Sequence, residues 1–162
     1  MERCEWLDRH GILNLGIGFD TTHGILNRLD FPLSRKPKCI FIMIGTNDIN
    51  EDTGMDIIKA NYSKIIDKIL KSHVQLFVLS TLRMNKNPHG MNFEEVNKKT
   101  EILNNYLMEQ CKWLSLPFID LNGKLSDRNG LLPKYSDDGL HMNDEGYVIW
   151  ENILLPYINK IQ

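Results

Sequence analysis

Cysteine is scarce in this sequence and unpatterned. Cys4, Cys39 and Cys111 are an odd number and form no C-x-x-C pair, which argues against a zinc site or a disulfide framework and leaves free thiols in a reducing compartment. No apolar run is long enough to cross a bilayer; Cys39–Ile44 is strand-sized. An excess of one charge is lacking too. The 19 basic and 21 acidic side chains leave a net charge of −2, so there is no electrostatic footprint for nucleic acid or an anionic membrane. Met1-Glu-Arg-Cys-Glu is charged and no apolar core region comes after it, so the start does not read as a secretory leader. Phosphate-binding glycine loops are missing as well: Gly16–Thr22 (GIGFDTT) satisfies neither G-x-G-x-x-G nor G-x-x-x-x-G-K-[ST].

What is present is an ordinary globular composition, 42% hydrophobic and 25% charged. The 162 residues fit one domain, able to bury a core without disulfides or metals. Apolar runs alternate with helical patterns. Gly11–Gly18 reads as a strand entering a tight turn, and Thr21–Leu29 as a short helix. Cys39–Ile44 (CIFIMI) is apolar at every position, the pattern of a strand covered on both faces. Met55–Ser72 carries its isoleucines on one helical stripe, and Val74–Leu79 is the next strand. Thr81–Met91 is a polar loop. A long helix starts at Asn92, with Glu95 three residues on as in a capping box and Val96, Leu103, Leu107, Cys111 and Leu114 inward. Leu116–Asp120 is a short strand and Asn122–Asp137 is loop-like. A last helix runs from about Asn143, with Tyr147, Trp150, Ile153 and Leu154 inward. Strands alternating with helices predict a parallel sheet in an α/β sandwich.

Ligands of such sheets bind beyond the carboxyl ends of the strands. Three polar clusters fall there or just before the last helix: Gly16–Thr22, Gly45–Asp48 (GTND) and Asp138–His141 (DGLH). In Asp138-Gly-Leu-His141 the spacing lets a carboxylate reach the imidazole Nδ1 and leaves Nε2 as a general base. Taken alone it is more often a surface turn with a capping aspartate. Asn47 can donate its side-chain N–H to an oxyanion, with Gly45 turning the chain; the plainer reading is a strand-ending turn. Asp48 caps the loop or the next helix. His23, His73 and His89 read as surface or packing residues.

Together and in this order the three clusters resemble the SGNH/GDSL hydrolase superfamily, particularly its platelet-activating-factor acetylhydrolase-like and lysophospholipase-like esterases. The likeness is carried by Gly16–Leu29, by Ile42-Met-Ile-Gly-Thr-Asn-Asp-Ile49 and by Ser136-Asp-Asp-Gly-Leu-His-Met-Asn143. It implies a three-layer α/β/α sandwich with a flavodoxin-like parallel sheet. It also implies hydrolysis of esters or thioesters by a serine nucleophile, here expected on a small-molecule ester, without metal or cofactor; the charge and hydropathy above add the expectation of no nucleic-acid partner and no membrane insertion. His141 is then the base, Asp138 its orienting acid and Asn47 an oxyanion donor, with Gly18, Phe19, Asp20, Gly45 and Thr46 around the oxyanion pocket.

Two departures qualify the resemblance. The family's second oxyanion position is usually glycine and here is Phe19, whose backbone N–H still serves if the ring points away. No Gly-Asp-Ser or Gly-x-Ser-x-Gly occurs. Arg3-Cys-Glu-Trp6 resembles the stretch that lies shortly after the nucleophile in that family. The expectation is therefore an N-terminally truncated single domain lacking the block and its central first strand. The compartment is then cytoplasmic unless the missing part carried a leader. Sheet edges left unpaired would favour self-association. Two alternatives are a non-catalytic small-ligand binder that kept the pocket, and a rewired site using Cys4.

Overall fold

The computed structural model describes Leu7 and residues 10–85 and 92–161. Its centre is a parallel sheet in the order β1-β2-β3, made of β1 (Cys39–Ile42), β2 (Gln75–Leu79) and β3 (Phe118–Ile119). The register runs from Cys39 opposite Gln75 to Ile42 opposite Val78, then Val78 opposite Phe118 and Leu79 opposite Ile119. Side chains alternate across a strand, and that alternation divides the interior in two. Ile40, Ile42, Leu76 and Val78 face one core; Cys39, Phe41, Phe77 and Leu79 face the other. Phe41 stacks on Phe77 in the second core with ring centres 4.5 Å apart.

The first face is covered by α1 (Thr22–Arg28), α4 (Met55–Lys71) and α5 (Phe93–Trp113). The second is covered by α7 (Asp144–Ile158). The result is the expected three-layer α/β/α sandwich. Helix α4 forms because Ile58, Tyr62, Ile65, Ile66 and Ile69 bury one stripe. Its first turn carries Asp56 and its last Lys68 and Lys71, which suits the helix dipole. Asn92 caps α5 by accepting the Glu94 N–H, and Asn143 caps α7 by accepting the Gly146 N–H. Among the described residues no helix is long and apolar enough to cross a membrane.

Several local expectations need correction. Gly11–Gly18 is not a strand: it pairs with no described strand, and Leu13 and Ile17 are exposed. A strand exists through its partner's hydrogen bonds, and none is supplied here. Strand β1 is apolar throughout yet only Ile42 is buried; among the described residues β1 is the edge of the sheet. Leu114 is not inward; it caps α5 and is 37% exposed. Asn122–Asp137 is not irregular. It holds α6 (Asn122–Leu125), a hairpin of β4 (Ser126–Asp127) and β5 (Gly130–Leu131), and a 3-10 turn over Pro133–Tyr135. The segment read as a polar loop from Thr81 buries Thr81, Leu82 and Met84; residues 86–91 lie outside the described residues. So does Arg3–Trp6 with Cys4.

One buried hydroxyl holds the end of β1. The fully buried Tyr62 phenol donates to the Ile44 carbonyl at 2.8 Å and accepts the Ile44 N–H at 3.2 Å. Burial pushes the phenol's pKa well above its usual value despite that backbone bond, so it stays protonated and able to donate. Tyr62→Phe should keep the fold and destabilise it by about 1–3 kcal/mol, the usual cost of orphaning buried polar groups. Urea denaturation measures this; an unchanged midpoint would show that Ile44 finds other partners.

Candidate active site

Asp138, Gly139, Leu140 and His141 close a turn on one carboxylate. Asp138 Oδ1 accepts the backbone N–H groups of Leu140 (2.8 Å) and His141 (2.7 Å), while Oδ2 lies 2.6 Å from His141 Nδ1. A carboxylate acceptor at that distance requires Nδ1 to carry the proton, leaving Nε2 for another partner. The buried Ser136 hydroxyl donates to Asp138 Oδ1 at 3.3 Å and accepts the Gly139 N–H at 2.8 Å. Leu140 packs into the first core and anchors the turn, while the imidazole is 78% exposed. Desolvation pushes the Asp138 carboxyl up. The imidazole N–H, the two backbone N–H groups and the charge of His141 together outweigh it and hold the carboxyl well below its ordinary value.

The Asn47 side is built by two loops locked together. Gly45 sits in the left-handed region (φ 118°), and a Cβ there would lie 2.6 Å from Leu103 Cδ2. Only glycine admits both. The chain then enters a short helix, α3 (Thr46–Asn50), rather than a simple turn, with Thr46 and Asn47 opening it. Asn47 Nδ2 donates to the Asp20 carbonyl at 2.8 Å and keeps a second N–H for another acceptor. Asp48 does not cap the segment after it. It is buried and caps α1, accepting the Thr22 N–H (2.9 and 3.1 Å) and the Thr22 hydroxyl (2.5 Å). Asn61 donates to that same hydroxyl at 3.0 Å. Asp20 is held by Arg28, whose Nε and Nη2 lie 2.8 and 2.6 Å from Asp20 Oδ2. Gly18 and Phe19 form the exposed tip of this loop. Phe19 adopts φ 61° and is 81% exposed, so its ring is turned to solvent.

No hydrogen bond joins Asn47 or Asp20 directly to His141. Both groups lean on the segment just beyond β2. Thr81 Oγ1 donates to the Ile44 carbonyl at 2.9 Å, beside the Asn47 helix, and the Asn85 N–H donates to the Gly139 carbonyl at 3.0 Å, inside the His141 turn. Three asparagines hold this segment. Asn104 accepts the Thr81 N–H and donates to its carbonyl, both at 2.8 Å. Asn97 treats Met84 the same way at 2.9 and 2.8 Å. Asn122 accepts the Arg83 N–H at 2.9 Å and donates to the Thr81 carbonyl at 2.9 Å. Sequence reasoning passed over these residues. The available signal was that Asn97 and Asn104 each come directly after a buried residue of α5, Val96 and Leu103, and lie seven positions apart at the margin of its apolar face. Among the described residues there is no group of three metal-capable side chains.

The sequence profile of the GDSL-like lipase/acylhydrolase family matches residues 3–149. The chain belongs to that family. Solved relatives share its fold. A GDSL-like lipase of Bacteroides thetaiotaomicron superposes with a TM-score of 0.90 at 24% identity, over 98% of this chain and 80% of that one. An acylhydrolase-like protein of Bacteroides fragilis gives a TM-score of 0.90 at 27% identity, over 98% and 79%. An N-acylneuraminate cytidylyltransferase of Escherichia coli is 33% identical over 120 residues, 70% of this chain and 26% of its own. The chain spans only about a quarter of the length of the curated relatives it matches.

In this GDSL-family chain the depressed Asp138 carboxyl has a direct acid consequence. Its folded pKa lies below the unfolded value of about 3.9, so its contribution is complete above that value and is lost as pH falls through the folded one. Wild type and Asp138→Asn should therefore differ in denaturation midpoint near neutral pH, and the gap should narrow below about pH 4. A gap that stays constant into strong acid would show that the carboxylate charge contributes nothing.

Proposed function

We propose that this chain carries most of the catalytic apparatus of a serine acyl-ester hydrolase acting on a small-molecule ester. The observation that carries the reading is the Asp138–His141 pair at 2.6 Å with Nε2 left uncommitted. A surface turn needs no oriented imidazole. A general base does, because a fixed tautomer presents Nε2 as the acceptor for a hydroxyl proton.

In the proposed reaction a serine Oγ bonds to the ester carbonyl carbon as His141 Nε2 takes its proton. The resulting oxyanion is held by the free N–H of Asn47 and the backbone N–H of Phe19. The C–O bond to the alcohol then breaks, and the alcohol leaves with the proton from His141. Water, deprotonated by the same nitrogen, releases the acid and restores the serine. None of the seven serines of this sequence lies in a Gly-Asp-Ser block. Ser136, close to the pair, donates its hydroxyl to Asp138 instead. The nucleophile is therefore proposed to come from sequence outside these residues, and the chain by itself to be inactive. Nucleotidyl transfer, the activity in the E. coli relative's name, is not extended to this chain, whose glycine loop lacks both phosphate-binding signatures.

The test is to express the chain with its natural upstream sequence and assay a short-chain p-nitrophenyl ester. Activity should appear with the upstream segment and be absent without it. Asn47→Ala should lower turnover by roughly 10²–10³-fold with the fold intact. A well-folded extended protein that hydrolyses no ester would sink the hydrolase reading. Activity in the present chain that disappears on Cys4→Ala would move the nucleophile to that thiol.

A further inference from the structure

The peptide between Met84 and Asn85 is gripped from three directions. Asn97, from α5, closes a two-way amide pair on Met84, accepting its N–H at 2.9 Å and donating to its carbonyl at 2.8 Å. The hairpin presses from another side at Gly130, where a Cβ would run into the Met84 carbonyl. Asn85 Nδ2 reaches the same hairpin, donating to the Leu131 carbonyl at 2.8 Å. From the third side the Asn85 N–H donates to the Gly139 carbonyl at 3.0 Å. Gly139 lies between Asp138 and His141.

The bonds that Asp138 and Ser136 make in the His141 turn are internal to residues 136–141. Its base is tied locally by Asn143, which donates through Nδ2 to Asp137 Oδ1 at 3.2 Å and through its backbone N–H to the Tyr135 carbonyl at 3.0 Å. Leu140 packs into the same core as Met84. Among the described residues the Asn85 N–H makes the hydrogen bond that joins the turn to a segment distant in the chain, and Asn97 holds the carbonyl of that same Met84–Asn85 peptide.

We propose that Asn97 is a positioning residue for His141, acting through the Met84–Asn85 peptide. The plainer role for Asn97 is to satisfy a buried peptide, and Asn104 does that for Thr81 on the same helix. The two roles differ in what they do to His141. Removing Asn97 lets the Met84–Asn85 peptide rotate and carries Gly139 with it, so the Asp138 carboxylate and the imidazole lose their alignment. Removing Asn104 loosens Thr81, which meets Ile44 and not Gly139. The catalytic meaning of the alignment rests on the hydrolase reading; the coupling itself does not.

The experiment uses the chain as it stands and reads the neutral His141 tautomer by long-range proton–nitrogen NMR. In wild type the Nδ1–H form should dominate, because Nδ1 faces Asp138. In Asn97→Ala the Nδ1–H share should fall to a minor fraction, while Asn104→Ala keeps the wild-type spectrum of His141. If Asn97→Ala does not fold, Asn97→Asp is read the same way: it keeps the acceptor for the Met84 N–H and sets a carboxylate against the Met84 carbonyl. An unchanged tautomer in the folded Asn97 variant would overturn the proposal, and so would equal losses in Asn97→Ala and Asn104→Ala. In an active extended protein Asn97→Ala should lower kcat by roughly 10–100-fold with KM unchanged. An inactive extended protein would remove the hydrolase reading and leave the tautomer result standing.

Discussion

The molecule depends on one stretch of backbone that is buried without being a strand. Thr81, Leu82 and Met84 sit in the interior beyond the end of β2, where no described strand offers a ladder. Buried peptide groups must find partners, and here asparagines from α5 and α6 provide them. The N–H and carbonyl of Thr81, the N–H of Arg83, and the N–H and carbonyl of Met84 are all met by carboxamides. An orphaned group of this kind costs about 1–3 kcal/mol. Losing all five would therefore consume a sum on the order of the whole stability of a domain, about 5–15 kcal/mol. A carboxamide suits the task because it sets an N–H donor and a carbonyl acceptor side by side in one plane, matching those of a peptide.

That segment also explains how two half-sites with no direct hydrogen bond hold a common frame. The Asn47 helix begins beside Ile44, which Thr81 and Tyr62 hold. The His141 turn hangs from the Asn85 N–H. Thr81 and Asn85 are four residues apart on one immobilised strip of chain. The two half-sites are thus tied to one strip of chain and share the first core, through Ile44 and Ile49 on one side and Leu140 on the other.

The parts of this arrangement that were legible in the sequence are those that close locally. Asp138 and His141 meet within one turn, and the N-caps Asn92 and Asn143 reach donors two and three residues on. The layered sandwich was legible because β2 and α4 carry clean periods. What escaped was everything fixed by a distant partner. Thr81 and Arg83 read as loop because the side chains that satisfy their backbone N–H groups lie 23 and 39 residues away. Strand β1 read as fully covered because its pattern records side-chain chemistry and not which neighbours are in place. Gly11–Gly18 read as a strand for the same reason: pattern can qualify a segment, but only a partner makes it one. Asp48 reads in the sequence as a cap for its own loop or the next helix. Its real partner, Thr22, lies 26 residues earlier.

The least ordinary residue of the site, Phe19, obeys the same logic. Left-handed backbone costs a side-chain-bearing residue about 1–2 kcal/mol, so the surroundings must hold it there. They do so just downstream of it. Asn47 holds the Asp20 carbonyl and Asp48 holds the Thr22 N–H. Consecutive side chains of one helical turn thus fix both sides of the Asp20–Thr22 link. Arg28 fixes the Asp20 side chain from a third side. The positive φ then sends the Phe19 ring outward to solvent. A bulky residue at this point therefore carries its side chain in solvent and not in the core. Asn47 holds this loop with one proton of its amide and keeps the other free. Asn47 thereby ties the Phe19–Asp20 loop to the start of α3.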